Sequence, residues 1–165
     1  MFPKRLFLLM LVCMSLLPPI GHGRSDDTRL PLHIEADTAE FDDNTGISIY
    51  LGKVRITQGT MVLTGDKITV FAPDKQLHKI TAEGQPSTFH QTTDGDDQID
   101  AEAQYMEYNT KTNMIILKKK AKMTQGNNSF SAELIEFHIL TKVVDAGDPK
   151  SGDRVKMVII PASID

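Results

Sequence analysis

The chain has 165 residues, enough for one domain with a sizeable core. A formal net charge of −4, an aromatic content of 6% and no tryptophan exclude nucleic-acid binding driven by bulk charge or base stacking. The single cysteine, Cys13, lies in the leader, so the rest of the chain has no disulfide, thiolate nucleophile or cysteine metal site.

The first element is the leader. Lys4 and Arg5 form a positive start, and Leu6 to Leu17 carries no charge. Pro18-Pro19 breaks the run, and Gly21-His22-Gly23 places small residues before a cut. This pattern predicts a cleaved secretory signal peptide over 1–23, with one domain over 24–165. Twelve apolar residues reach about 18 Å as a helix, short of the roughly 30 Å hydrocarbon core. Cys13 lacks the small residues that precede a lipidated cysteine. The expected product is a soluble exported protein, and an export signal without a later disulfide fits a periplasm.

From Leu32 onward the chain alternates. Leu32 to Asp37, Ile47 to Leu51, Val54 to Thr57 and Ile68 to Val70 repeat with period two, the mark of strands with one face buried. Turn signals separate them: Asp42 to Gly46, Gln58-Gly59, Thr64-Gly65-Asp66, Ala72-Pro73-Asp74 and Glu83 to Pro86. Ser131 to Leu140 also reads as strand, because Ile135, Phe137 and Ile139 alternate with Glu136 and His138. The spacing predicts an all-β sandwich, roll or barrel.

The chain also matches itself. A shift of 67 residues lays Ile34–Phe71 on Ala101–His138 without a gap. Glu35-Ala36 meets Glu102-Ala103, Lys53 meets Lys120, and Thr57-Gln58-Gly59 meets Thr124-Gln125-Gly126. Such a register indicates one supersecondary unit laid down twice. Two copies are few for a solenoid, so they share a core or gain neighbours by stacking between molecules.

Motifs for chemistry are missing. There is no phosphate-binding Gly-rich loop, no Gly-x-Ser-x-Gly and no His-Glu-x-x-His. His33, His78, His90 and His138 are scattered, and Asp42-Asp43 and Asp96-Asp97 read as solvated turns. No catalytic residue, metal ligand or cofactor site is assigned. The one basic cluster, Lys118-Lys119-Lys120-Ala121-Lys122, reads as a lysine-protected edge strand or as a contact for phosphates of an anionic head group. The apolar inventory on the strands reads as core, or as a groove between sheets that takes acyl chains. The candidate lining on these strands includes Ile34, Ala36, Ile49, Ile56, Leu63, Val70, Phe89, Tyr108, Ile116 and Phe137.

Several segments resemble the LptA/OstA family of lipopolysaccharide-export proteins. They are Leu32 to Asp37, Gly52 to Val70, Ile80 to Phe89 with Gly84 and Pro86, Ala101 to Tyr108, and Arg154 to Pro161. The second copy departs from the family at Lys118 to Ala121, where Gly and a small polar residue are usual; this bears on the turn geometry and on the charge at the groove rim. The resemblance implies a twisted β-jellyroll of two splayed antiparallel sheets whose interior binds lipid A acyl chains. It maps lipid contact onto Leu32, Ile34, Phe89 and Tyr108, and with it Leu32 and Phe41 complete a candidate lining of twelve residues. It also implies periplasmic location, no enzymatic activity and no cofactor. The partners it implies are lipopolysaccharide, an LptC-like inner-membrane protein, an LptD-like outer-membrane protein and further copies stacked head to tail, with no nucleic acid. The competing reading is a structural adaptor that links envelope proteins edge to edge and touches lipid little. A glycan hydrolase using paired carboxylates is a third, disfavoured for want of tryptophan and of such a pair.

Overall fold

The computed structural model describes residues 30–93 and 97–160. Ten strands follow one another: β1 (His33–Glu35), β2 (Thr38–Asp42), β3 (Ile47–Gln58), β4 (Met61–Phe71), β5 (Lys79–Thr92), β6 (Gln98–Asn109), β7 (Met114–Gln125), β8 (Asn128–His138), β9 (Val143–Ala146) and β10 (Lys156–Val158). All pairings are antiparallel, and the order is β1-β3-β4-β5-β6-β7-β8-β10. The ends are interrupted edges: β2 also pairs with β3, and β9 with β8. The fold is all-β, and the segment Ser131 to His138 is strand, as its alternation predicts. The expected signal peptide lies outside the described residues.

The long strands are not straight ladders. Register breaks fall between Leu51 and Val54, Thr64 and Lys67, Glu83 and Ser87, Glu102 and Tyr105, and Lys118 and Ala121. They form one line across the sheet. Side chains are buried to near zero exposure on both sides of this line, among them Ile56, Ile68, Ile80, Leu117 and Phe137. A flat single sheet cannot hide them, so the sheet folds along the line and its halves cover each other. All these side chains belong to one apolar cluster. Burying each large one contributes about 1.5–3 kcal/mol. The two splayed sheets expected from sequence are thus halves of one hydrogen-bonded sheet.

The inner row at the fold line is small: Val54, Gly65, Ser87, Ala103, Ala121 and Ala132. A Cβ at Gly65 would come within 3.0 Å of the Glu83 carbonyl oxygen, and one at Gly84 within 2.8 Å of Ser87 Oγ. This corrects two expected turns. Thr64-Gly65-Asp66 and Glu83 to Pro86 do not link strands; they bend β4 and β5 midway. Their glycines allow close backbone approach, which in sequence looks the same as a turn.

The limits of β3 and β7, and of β4 and β8, differ by 67 residues at each end, the shift that aligns the sequence with itself. Left-handed residues recur at the same shift: Gly46 and Asn113, Gly52 and Lys119, Lys53 and Lys120, Gly59 and Gly126. Lys119 (φ 65°) and Lys120 (φ 56°) thereby keep the bend that Gly52 makes in β3. The lysine run is not an edge strand, because β7 lies between β6 and β8. Lysine protection of an edge is therefore ruled out for it.

Candidate functional site

Strand register assembles the inner face into rows that cross the whole sheet. One row runs Ile34, Ile56, Leu63, Phe89, Ala101, Met123, Phe130 and Met157, each opposite the next. A second runs Phe41, Ser48, Val70, Ile80, Tyr108, Ile115, Phe137 and Val144. A third, next to the fold line, links Tyr50, Ile68, Ala82, Met106, Leu117 and Ile135. The centre is closed and the ends are open. Leu32, Ile34, Phe130 and Val144 are half-buried against the core, while Phe41 (68% exposed) and Met157 (50%) stand in water.

The twelve candidate residues divide. Ile34, Ile56, Leu63 and Phe89 share the first row, and Phe41, Val70, Tyr108 and Phe137 share the second. Leu32 packs on the core ahead of β1. Ala36 is exposed in the gap between β1 and β2. Ile49 and Ile116 lie on the opposite face, in the row Glu40, Ile49, Thr69, Thr81, Glu107, Ile116 and Glu136.

The reason is visible in β3. Ile47, Ile49 and Leu51 look like its inward side, yet Ser48 and Tyr50 point in, because they stand opposite Val70 and Ile68 of β4. Leu51 is 45% exposed as a result. In β7 the continuous run Met114 to Leu117 hides the phase altogether. Sequence reasoning missed Ile99, Ile115 and Leu117, which are buried, and, apart from Val54, the small residues of the fold line. The pairing of Leu117 with Met106 and Ile135 identifies it only once the strands are aligned.

The outer face carries several ion pairs and hydrogen bonds. Lys67 meets Glu83 at 3.5 Å, Lys79 meets Glu107 at 3.7 Å and Lys122 meets Glu102 at 2.7 Å. His90 Nδ1 lies 2.7 Å from Asp100 Oδ1. Tyr105 donates to Glu107 at 3.0 Å. Burial, then this hydrogen bond, pushes the Tyr105 hydroxyl up to about 12. Burial also raises Tyr108. The Asp42 carboxyl is held low by the Thr45 hydroxyl and the Asn44 amide. Among the described residues, no cluster of three His, Cys, Asp or Glu side chains is placed to hold a metal ion. No helix among them is long and apolar enough to cross a membrane. The arrangement is a scaffold for apolar contact and strand pairing.

Residues 33–143 match the family model described as LptA/(LptD N-terminal domain) LPS transport protein. The chain belongs to this family. Within it, the Pseudomonas aeruginosa lipopolysaccharide export system protein LptH is 32% identical over 82% of this chain and 82% of its own. LptA of Escherichia coli K12 is 29% identical over 84% of this chain and 75% of its own. LptA of Haemophilus influenzae is 27% identical over 95% and 92%. The crystal structure of P. aeruginosa LptH, described as the LptA-homologous periplasmic component of the lipopolysaccharide transport device, superimposes with a TM-score of 0.75. That match has 31% identity and covers 82% of this chain and 99% of LptH. The family fold, an open β-jellyroll, is the one formed here.

Proposed function

We propose that this chain is a periplasmic lipopolysaccharide-binding bridge protein, and not an enzyme. It holds lipid A acyl chains between the two halves of its sheet and carries lipopolysaccharide from an LptC-like inner-membrane partner to an LptD-like outer-membrane partner. The observation that carries this reading is the apolar row from Ile34 to Met157, closed in the centre and open at both edges. Family membership supports it. Each CH₂ removed from water contributes about 0.8 kcal/mol, so a multi-chain lipid needs such cover across an aqueous space. Entry at the edges, beside Leu32 and Ile34, requires the halves to part, because the central side chains already fill the interior.

The edges support stacking of copies. Among the described residues, β1 and β10 each have one side without a paired strand, which suits strand addition. The first edge carries Glu35, Asp37, Glu40 and Asp42, while β10 carries Arg154 beside it and Lys156 within it. An exposed apolar run from Met157 to Ile160 follows. An adaptor that merely links envelope proteins is not favoured, since the relatives are all lipopolysaccharide export proteins by name.

The test is a titration of delipidated residues 24–165 with lipopolysaccharide, with a photo-crosslinker at position 34 or 116. The reading expects saturable crosslinking at 34, competed by lipid A but not by free core saccharide, and none at 116. Equal labelling at the two positions would remove the interior as the binding site.

A further inference from the structure

The lysine run of β7 has no part in the interior, and its backbone is unusual. Lys119 and Lys120 both occupy the left-handed region, where a side chain is disfavoured. The matching bend in β3 places Gly52 where β7 has Lys119 and a left-handed lysine, Lys53, where β7 has Lys120, so the fold does not require a side chain at the first of the two steps. Both lysines are exposed, and among the described residues no carboxylate lies within 4 Å of either ammonium. Glu133 is engaged by the backbone N–H of Lys120 at 3.4 Å.

Beside them, on the convex side of the fold line, is a depression of about 270 Å³ bounded by Lys120, Lys122, Gln85 and Gln104. Its one carboxylate, Glu102, is already neutralised by Lys122 at 2.7 Å. Gln104 Nε2 donates to Gln85 Oε1 at 3.0 Å. That bond uses one of four amide N–H groups, and three remain whichever way the amides are turned. An ammonium without an ion pair, beside amide N–H donors that line the same depression, suits a tetrahedral oxyanion. Lys119 lines a neighbouring depression with Lys67, Asp66 and Glu83, where acids and lysines balance, and does not line the site.

We propose that this depression binds a phosphate monoester, with Lys120 as its principal cation and Gln85 and Gln104 as its neutral donors. The site lies outside the apolar interior and does not depend on what fills that interior. The source of the phosphate is a lipid head group or a free phosphate.

The experiment is a ¹H–¹⁵N NMR titration of residues 24–165 at constant ionic strength set with chloride. The probes are inorganic phosphate, and lipid A with and without its phosphates. Saturable shifts at the amides of Gln104, Lys120 and Lys122 are expected. Lys120→Gly, which suits the left-handed backbone, is expected to weaken binding at least tenfold while Tm stays level or rises. Shifts with inorganic phosphate assign a free-phosphate site, and shifts only with phosphorylated lipid A assign a head-group site. No saturable shift with any phosphate probe, or unchanged affinity in folded Lys120→Gly, overturns the proposal.

Discussion

Gly52 lies against the Asp37 side chain, so a Cβ at Gly52 would collide with that carboxylate. The Asp37 amide donates to the Gly52 carbonyl at 3.0 Å, tying the gap between β1 and β2 to the bend of β3. Gly52 also sits at φ 80°. Gly52→Ala therefore meets two costs, a left-handed side chain of about 1–2 kcal/mol and the clash. Gly152 has a similar φ of 74° and nothing within 4 Å, so Gly152→Ala meets only the first. Denaturant unfolding of the two variants should separate them, with Gly52→Ala the less stable.

A charge in the interior should act differently at its centre and its edge. Phe89 is 3% exposed, so Phe89→Asp places an unpaired carboxylate in the core and unfolds the protein. Ile34 is half-buried at the open edge. Ile34→Asp should keep the fold and weaken lipopolysaccharide binding at least tenfold. Circular dichroism together with the crosslinking titration reads both effects. Native affinity in a folded Ile34→Asp would rule the edge out as the entry point.

Charge across the two edges should govern stacking. Lys156→Glu reverses the sign on β10, next to the acidic β1–β2 edge of an incoming copy. Sedimentation at graded protein concentration should show weaker self-association, and added salt should weaken the native protein in the same way. Stacking that is unchanged by both would mean the apolar run Met157 to Ile160 alone carries the contact.

The Tyr105 hydroxyl gives a pH signature. Its folded value, raised to about 12, lies above the ordinary 10.0. The neutral form is thus favoured by the fold. Its contribution is complete below pH 10 and is lost as pH rises through about 12. Unfolding free energy measured across this window should fall, and Tyr105→Phe should flatten the fall. Tyr105 is partly exposed, so the change is modest.

The strands were largely legible before the structure. Alternation identified β8 and the separate halves of β3 and one half of β4 as strand, because side chains of one face recur at every second position, while the turn expected at Thr64-Gly65-Asp66 split β4 in two. Periodicity failed in β7, where both phases are apolar, and misled in β3, where the apolar positions Ile47, Ile49 and Leu51 lie on the outer face. Ile49 and Ile116 looked inward, and only the opposing residues of neighbouring strands put them outside. The glycines at 65 and 84 announced bends, but local sequence does not tell a bend from a chain reversal. Ala36 read as part of a continuous strand and falls in a gap.

The sequence by itself determined the all-β class, the two-fold register of 67 residues, the lack of recognisable catalytic motifs and the family resemblance. These follow from local sterics, side-chain chemistry and motif order, which need no partner strand. Tertiary structure alone decided which apolar face is inside, that the two expected sheets are one sheet folded along a line of small residues, and that the lysine run lies mid-sheet. Each of these depends on hydrogen-bond register between neighbouring strands, which no single segment contains, and a one-residue change of register exchanges the two faces of a strand.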